Sequence, residues 1–522
     1  MHDRALRRST LLTSRPKRAQ MLETLLCLLA SQSAELNRCG AIGRFVWQNR
    51  SVAATNQTQE PTVSRRRYTV GGTVAGFFRI GLPEACRSTF RWHLSYALLD
   101  AVAGGILLNA PMMALKRMNA PSWQLPLREL YSGIGMLLAL YLGGWMANRR
   151  KLPFVVIPGI TAGMFTLLMP LTMGRSFWFL TLLGLSAMFE FVTRPATTSV
   201  LRLNYPVEYR GRATGEVRKW TSLAFMASSL ASAALLQQVS NWAAGGRLPP
   251  FAADATVAAL LFAAGGLSMA GFACFSRIEV QERFDTHAAS PEPWYEPVRH
   301  SWQILVGDVR YRRYIVSCFF DGFCAALYLP LLWAFLQKTL GYDYVGATAL
   351  MHVIPAFAAF CATGWLGSWF DRTNPWFAWG WIRLAWGFDA LLLAVTPLIA
   401  QGISPAVFLL PIFGRVLRGV VQGGQFVMWW QIGVTHFAPP GSDTSRYMGI
   451  MAFLAGAVRL TASVAGITLT ALKVPAADLL LFGGLGVIAV GVYSLFQGMQ
   501  ERRNAHLATI AAFESQFASE SP

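Results

Sequence analysis

The run PFVVIPGITAGMFTLLMPLT, residues 153–172, is twenty residues long and carries no charge. At about 1.5 Å of rise per residue such a helix reaches about 30 Å, the thickness of a bilayer's hydrocarbon core. Directly before it stands Asn148-Arg149-Arg150-Lys151, a basic cluster of the kind retained on the cytosolic side. The same alternation of long apolar run and short polar break continues outward. It predicts spans near 94–115, 126–147, 153–172, 176–203, 219–240 and 254–275, then 313–337, 344–370, 376–400, 405–436, 446–471 and 478–498. The expected fold class is an all-α polytopic membrane protein whose twelve transmembrane helices form two sets of six.

Composition agrees with this. Of the 522 residues 54% are hydrophobic and only 14% charged, against roughly 25% charged in a soluble globular chain. Mean hydropathy is +0.39 although the net charge is +19. Both hold together when the charges sit at membrane surfaces. The seven cysteines are scattered and form no Cys-x-x-Cys pair, so they suggest neither a disulfide framework nor a zinc site and read as small apolar fillers.

Residues 1–93 hold fifteen Lys/Arg against five Asp/Glu and no uninterrupted span, which marks a basic, largely disordered cytosolic region. Met21 to Ala30 follows Arg15, Lys17 and Arg18 in the manner of a signal peptide. Its apolar core is short, however, and broken by Glu23. Translation starting at Met21 is an alternative account of the first residues. The remaining divisions are a six-helix bundle over 94–275, a charged cytosolic linker over 276–312, a second bundle over 313–498, and a cytosolic tail over 499–522. Prolines 291, 293 and 297 keep the linker from forming one continuous helix. Arg202, Arg210, Arg212, Arg218 and Lys219 make the fourth-to-fifth connection basic, so both termini are expected in the cytosol of a cell whose inner membrane holds the protein. Lys116, Arg117 and Arg128 lie in the opposite loop, where long basic side chains can snorkel to the interface.

Polar positions inside the spans repeat between the halves. Asp100 and Asp321 are 221 residues apart, and so are Arg194 and Arg415. Gly144-Trp145-Met146-Ala147-Asn148-Arg149 corresponds loosely to Gly367-Ser368-Trp369-Phe370-Asp371-Arg372. Duplicated halves are a common plan of secondary transporters, with the substrate site near the midplane between them.

On these residues the chain resembles the major facilitator superfamily over roughly 94–498. Gly367-x-x-x-Asp371-Arg372 keeps the first part of that family's loop motif between the second and third helices of a half. In the first half Asn148 replaces the aspartate, which puts the loop's gating ion pair in doubt there. Arg415-Val416-Leu417-Arg418-Gly419 is similar to the family's Arg-x-x-Gln-Gly, with Arg418 in place of glutamine. Pro206 to Gly215 is similar to the loop leading into the fifth helix. The resemblance implies solute transport by alternating access, with Gly144, Asn148, Arg149, Gly367, Asp371 and Arg372 as gating-loop positions.

Ionisable groups within spans are costly and therefore functional candidates. Asp100 and Asp321 come first. Asp321 lies on a polar face with Ser317, Cys324 and Tyr328. A poorly solvated carboxyl group there holds a proton near neutral pH; alternatively each acid bonds a neighbouring helix. Glu190 and Arg194, four apart, fit an intrahelical ion pair. Arg415, Arg418, Gln422 and Gln425 form a donor stripe expected to face protein or water. In the eleventh span Gly449, Ala452, Gly456, Ser463, Gly466 and Thr470 read as a packing face. Arg459 interrupts that face and is expected at the cavity or on a carboxylate such as Asp371 or Asp389. His352 either titrates or donates a packing bond. Trp365, Trp369, Trp376, Trp379 and Trp381, with Trp429 and Trp430, are expected to form interfacial belts. Arg383 and Asp389, six apart on one helix, have no assignable partner.

The function these residues indicate is secondary active transport of a small organic solute, coupled to protons or another ion, by a monomer that needs no cofactor. A transport-inactive solute sensor and a membrane-embedded transferase are the alternatives. Against an enzyme stand seven dispersed histidines with no His-Glu-x-x-His, and against an ATP-driven pump the lack of a Gly-Lys-Ser/Thr phosphate loop. The basic amino-terminal arm suits anionic lipid and has no nucleic-acid-binding module.

Overall fold

The computed structural model describes residues 83–146, 149–280, 296–370, 372–402, 406–427, 436–437 and 444–520. The first seven helices are α1 Glu84–Leu107, α2 Ala110–Met118, α3 Leu127–Trp145, α4 Pro153–Leu168, α5 Ser176–Asn204, α6 Val207–Ala244 and α7 Ala252–Phe275. Then come α8 Glu296–Gly307, α9 Val309–Tyr328, α10 Tyr344–Thr348, α11 Ile354–Phe370, α12 Pro375–Ala400, α13 Ala406–Val427, α14 Thr444–Ala471 and α15 Ala476–Glu520. Among the described residues ten stretches are long and apolar enough to cross a membrane. The charged helices α3, with Arg128 and Glu129, and α13, with Arg415 and Arg418, stand in the two remaining places of the expected twelve.

Local chemistry sets the helix ends. Pro153 and Pro375 occupy first-turn positions, where the missing N–H costs nothing. Asp308, Asp343 and Asn374 accept bonds from the backbone N–H groups of Tyr311, Gly346 and Trp376 at 2.9, 2.7 and 2.8 Å. Asn119 closes α2 in the left-handed region at φ 51°. The turns Phe335–Thr339 and Ala349–Val353 are π-helical, the second just before Pro355, which cannot donate to the helical ladder.

Helix packing repeats between the halves. In the first, α1 packs on α7, α3 on α5, and α4 on α5 and α7; in the second, α9 packs on α15, α11 on α13, and α12 on α13 and α15. Glycines allow the close crossings. A β-carbon on Gly387 would stand 2.7 Å from the Gly484 carbonyl oxygen, and one on Gly265 would stand 2.9 Å from that of Gly163. Without a hydrophobic drive inside lipid, such backbone approach is what binds helices together.

Several boundaries differ from expectation. The first helix starts at Glu84, ten residues before the expected span, because Cys86 to Phe90 pack against Tyr205 and Ala213. Pro206 to Gly215 is not a loop: α6 begins at Val207 and runs 38 residues. Arg210 there donates to the carbonyls of Arg202 and Tyr205 at 2.9 and 3.2 Å, closing the end of α5. The linker contains α8, which starts after the prolines at 291 and 293. The last helix continues through the expected tail to Glu520, held by Glu501, which accepts from Arg310, Trp376 and Asn374 at 3.1, 3.1 and 3.3 Å. The tenth span ends as a helix at Val427, and residues 428–435 lie outside those described.

Candidate functional site

Two acids of the second half are consumed by buried ion pairs. Asp321 on α9 is 1% exposed, with the Arg383 Nε of α12 3.4 Å away. That guanidinium also donates to Ser494 of α15 at 2.6 Å and Ser317 at 3.5 Å, and covers the Trp379 ring at 4.3 Å. Asp389 lies 2.7 Å from Arg415 and 3.7 Å from Arg418, both on α13. These contacts pin α9, α12, α13 and α15 together. They also assign Arg383 and Asp389, which are too far apart around one helix to meet each other but face partners on different helices. The donor stripe of α13 therefore turns Arg415 and Arg418 onto Asp389, while Gln422 is exposed.

Asp100 differs from its repeat mate. The position 221 residues before Arg383 is Ala162, so the first half lacks the guanidinium that neutralises Asp321. Among the described residues no ion pair within 4 Å involves Asp100; Ser268 of α7, Glu190 and Arg194 lie around it. Glu190 and Arg194 form the expected i,i+4 pair at 3.3 Å, with side chains 43% and 55% exposed despite lying at mid-helix in α5.

Arg459 lies on a carboxylate, as expected, but one that the sequence does not single out. It pairs with Glu129 on α3 and not with Asp389, Nη1 to Oε2 at 2.5 Å, across the two halves, and Asp371 lies outside the described residues. Glu129 carries no distinguishing mark in the sequence, because it stands at the very start of a span, where a charge normally meets water. In the structure the first turn of α3 lies against α14, with Pro126 beside Gly466 and Glu129 on Arg459 near the middle of that helix. Gly133 and Gly456 bring the helices together: a β-carbon on Gly133 would stand 2.9 Å from the Gly456 carbonyl oxygen. The Phe191 ring of α5 then carries two guanidinium groups, Arg194 at 3.9 Å and Arg459 at 4.8 Å. The result is one ladder, Asp100, Glu190, Arg194, Phe191, Arg459, Glu129, in which Arg459 of the second half joins two elements of the first.

At the end of the molecule where α2 meets α10, polar contacts join the halves directly. Asn109 is fully buried in the break between α1 and α2. Its amide donates to the Ser229 carbonyl at 3.0 Å and to Ser232 Oγ at 2.9 Å, and its oxygen accepts from Thr348 at 2.5 Å. Gln237 accepts from the Tyr344 N–H at 3.2 Å, Lys116 covers the Tyr344 ring at 4.7 Å, and Lys338 donates to Ser122 at 3.4 Å. Arg117 pairs with Asp254 at 2.7 Å rather than snorkelling free.

The remaining candidates fall outside this network. His352 sits in the π-helical turn between the rings of Phe225 and Trp333, with centroids at 6.4 and 5.9 Å, which is a packing position. Asn148 and Asp371 lie outside the described residues; Arg149 and Arg372 are exposed, and Gly144 and Gly367 stand in the last turns of α3 and α11. Of the tryptophans expected in belts, Trp365 and Trp381 are exposed, whereas Trp376 and Trp379 are buried with Tyr314 and Phe437. Gly456 and Gly466 of the α14 face do pack, against α3 and α9. Trp429 and Trp430 are outside the described residues.

No curated protein matches the chain by sequence. Among solved structures it is similar to an aspartate-to-alanine variant of the nucleoside transporter NupG, at TM-score 0.58 and 11% identity, covering 78% of this chain and 98% of that one. It is also similar to a POT family transporter in complex with a thioalcohol-conjugated peptide, at TM-score 0.58, 11% identity and coverage of 80% and 96%. A bacterial homologue of the human lysosomal transporter Spinster gives TM-score 0.52, 13% identity and coverage of 80% and 96%. Identities this low establish the shared fold, a multi-pass helical membrane fold. The sequence profile of the Major Facilitator Superfamily matches residues 94–463, and the chain belongs to that family of solute transporters.

Proposed function

We propose that this chain is a proton-coupled secondary transporter that moves a small organic solute by alternating access, the bundles at 94–275 and 313–498 rocking about a site between them. The observation that carries this reading is the ladder from Asp100 to Glu129, which places a carboxyl group without an ion-pair partner at one end and an ion pair between the halves at the other. A proton on Asp100 removes the negative charge that competes with Glu190 for Arg194. Arg194 shares the Phe191 ring with Arg459, so the change reaches the Glu129–Arg459 pair through contiguous contacts. Asp321, held by Arg383, has no such freedom and serves packing. Basic loops support cytosolic termini in an inner membrane, and the protein acts as a monomer.

The test is solute flux in proteoliposomes, screening a mixed metabolite library by mass spectrometry with and without an imposed pH gradient. Uptake that follows the gradient and disappears in Asp100→Asn is the expected result. Uptake indifferent to the gradient, or unchanged in that variant, overturns the coupling.

A further inference from the structure

Helix α8, in the linker between the halves, divides its surface into three arcs. Ile304 and Leu305 pack on the cluster containing Tyr311, Tyr314 and Tyr447. Arg299 and Gln303 are exposed and polar. Between these arcs Val298, Trp302 and Val306 are 39%, 68% and 55% exposed. Spaced at i, i+4 and i+8, they form one narrow apolar strip.

The strip continues onto exposed apolar residues of a helix long and apolar enough to span a membrane. On α9, a membrane-spanning helix, Val309, Val316 and Phe320 are exposed on the outer side, and Arg313 shares that side. An arginine there reaches the headgroups while its stem lies along apolar surface; Phe320, seven residues further, lies about 10 Å deeper. Arg313 thus marks headgroup depth close to the junction with α8. Asp308 caps α9 at this junction, and Arg312 donates to the Val306 carbonyl at 3.2 Å, closing the end of α8.

We propose that α8 is an interfacial helix: its Val298–Trp302–Val306 face lies in the boundary between headgroups and acyl chains, mooring the linker to the membrane surface. Each arc then meets the medium that suits it, with protein against Ile304 and Leu305, lipid against the strip, and water against Arg299 and Gln303. Trp302, an apolar body with one N–H, is the side chain best suited to that depth. Seating depends on buried apolar area, as for other amphipathic helices lying in the plane of a membrane.

Photo-crosslinking of the full chain in phospholipid nanodiscs tests this, with p-benzoylphenylalanine replacing Val298, Trp302, Gln303 or Phe320 one at a time. Adducts identified by mass spectrometry should be phospholipid at 298, 302 and 320, with loss of the lipid adduct at 303. A lipid adduct at 320 but none at 302, or a protein adduct at 302, overturns the proposal. Absence of lipid at 320 as well removes the lipid-facing surface on which it rests and overturns it equally.

Discussion

Asp100 and Asp321 show how one residue type at matched positions acquires two physical situations. Asp321 and Arg383 are both essentially inaccessible to water, so removing one partner leaves an uncompensated buried charge, a loss of about 3–5 kcal/mol. Arg383→Leu should therefore lower the thermal unfolding midpoint in detergent sharply, and the double change Asp321→Leu/Arg383→Leu should recover most of it. A single variant as stable as the parent would count against the pair. Asp100→Asn should leave that midpoint nearly unchanged while ending gradient-driven uptake. The pair Glu129–Arg459 lies between these cases, partly exposed and shared by the two halves. Charge exchange, Glu129→Arg with Arg459→Glu, should restore flux that either single change loses, with a coupling of about 0.5–3 kcal/mol in the double-mutant cycle; additive losses would exclude direct pairing.

Among the elements, the α3–α14 crossing governs the site, since it brings Glu129 to Arg459. Gly456→Ala places a methyl group about 3 Å from the Gly133 carbonyl oxygen. Overpacking of this kind costs about 1–3 kcal/mol. The expected outcome is a lower unfolding midpoint and impaired flux, whereas Gly211→Ala, with nothing within 4 Å of the new methyl, should be neutral. Equal behaviour of the two variants would show that the helices do not approach closely here. The π-helical turn just before Pro355 belongs to the same scale, for it lets α11 keep its course where proline interrupts the ladder.

For the whole molecule, the proposed alternating access requires the contacts between α2 and α10 to break and re-form. Ser122 and Lys338 flank them from the two halves. Ser122→Cys and Lys338→Cys, bridged by a short cleavable thiol crosslinker, should stop flux until the bridge is reduced, while each single-cysteine variant treated alike stays active. Full flux with the bridge intact would mean that this end does not open during transport.

The long uncharged runs and the basic loops determined the membrane class, the near-positions of the spans and the duplicated plan, because hydropathy and charge placement act through the local chain and the bilayer alone. The same local physics made the Glu190–Arg194 pair legible, as its members are four residues apart on one helix. Helix ends were less legible: the extension of α6 through Pro206 to Gly215 and of α15 to Glu520 depends on partners such as Arg202 and Arg310. Tertiary structure alone decided which acid is neutralised and which stays available. Arg383 reaches Asp321 across 62 residues and Arg459 reaches Glu129 across 330, and no periodicity records which helices a fold sets side by side. That arrangement follows from backbone approach at Gly133 and Gly456, and it turns charges scattered along the sequence into one ladder between the halves.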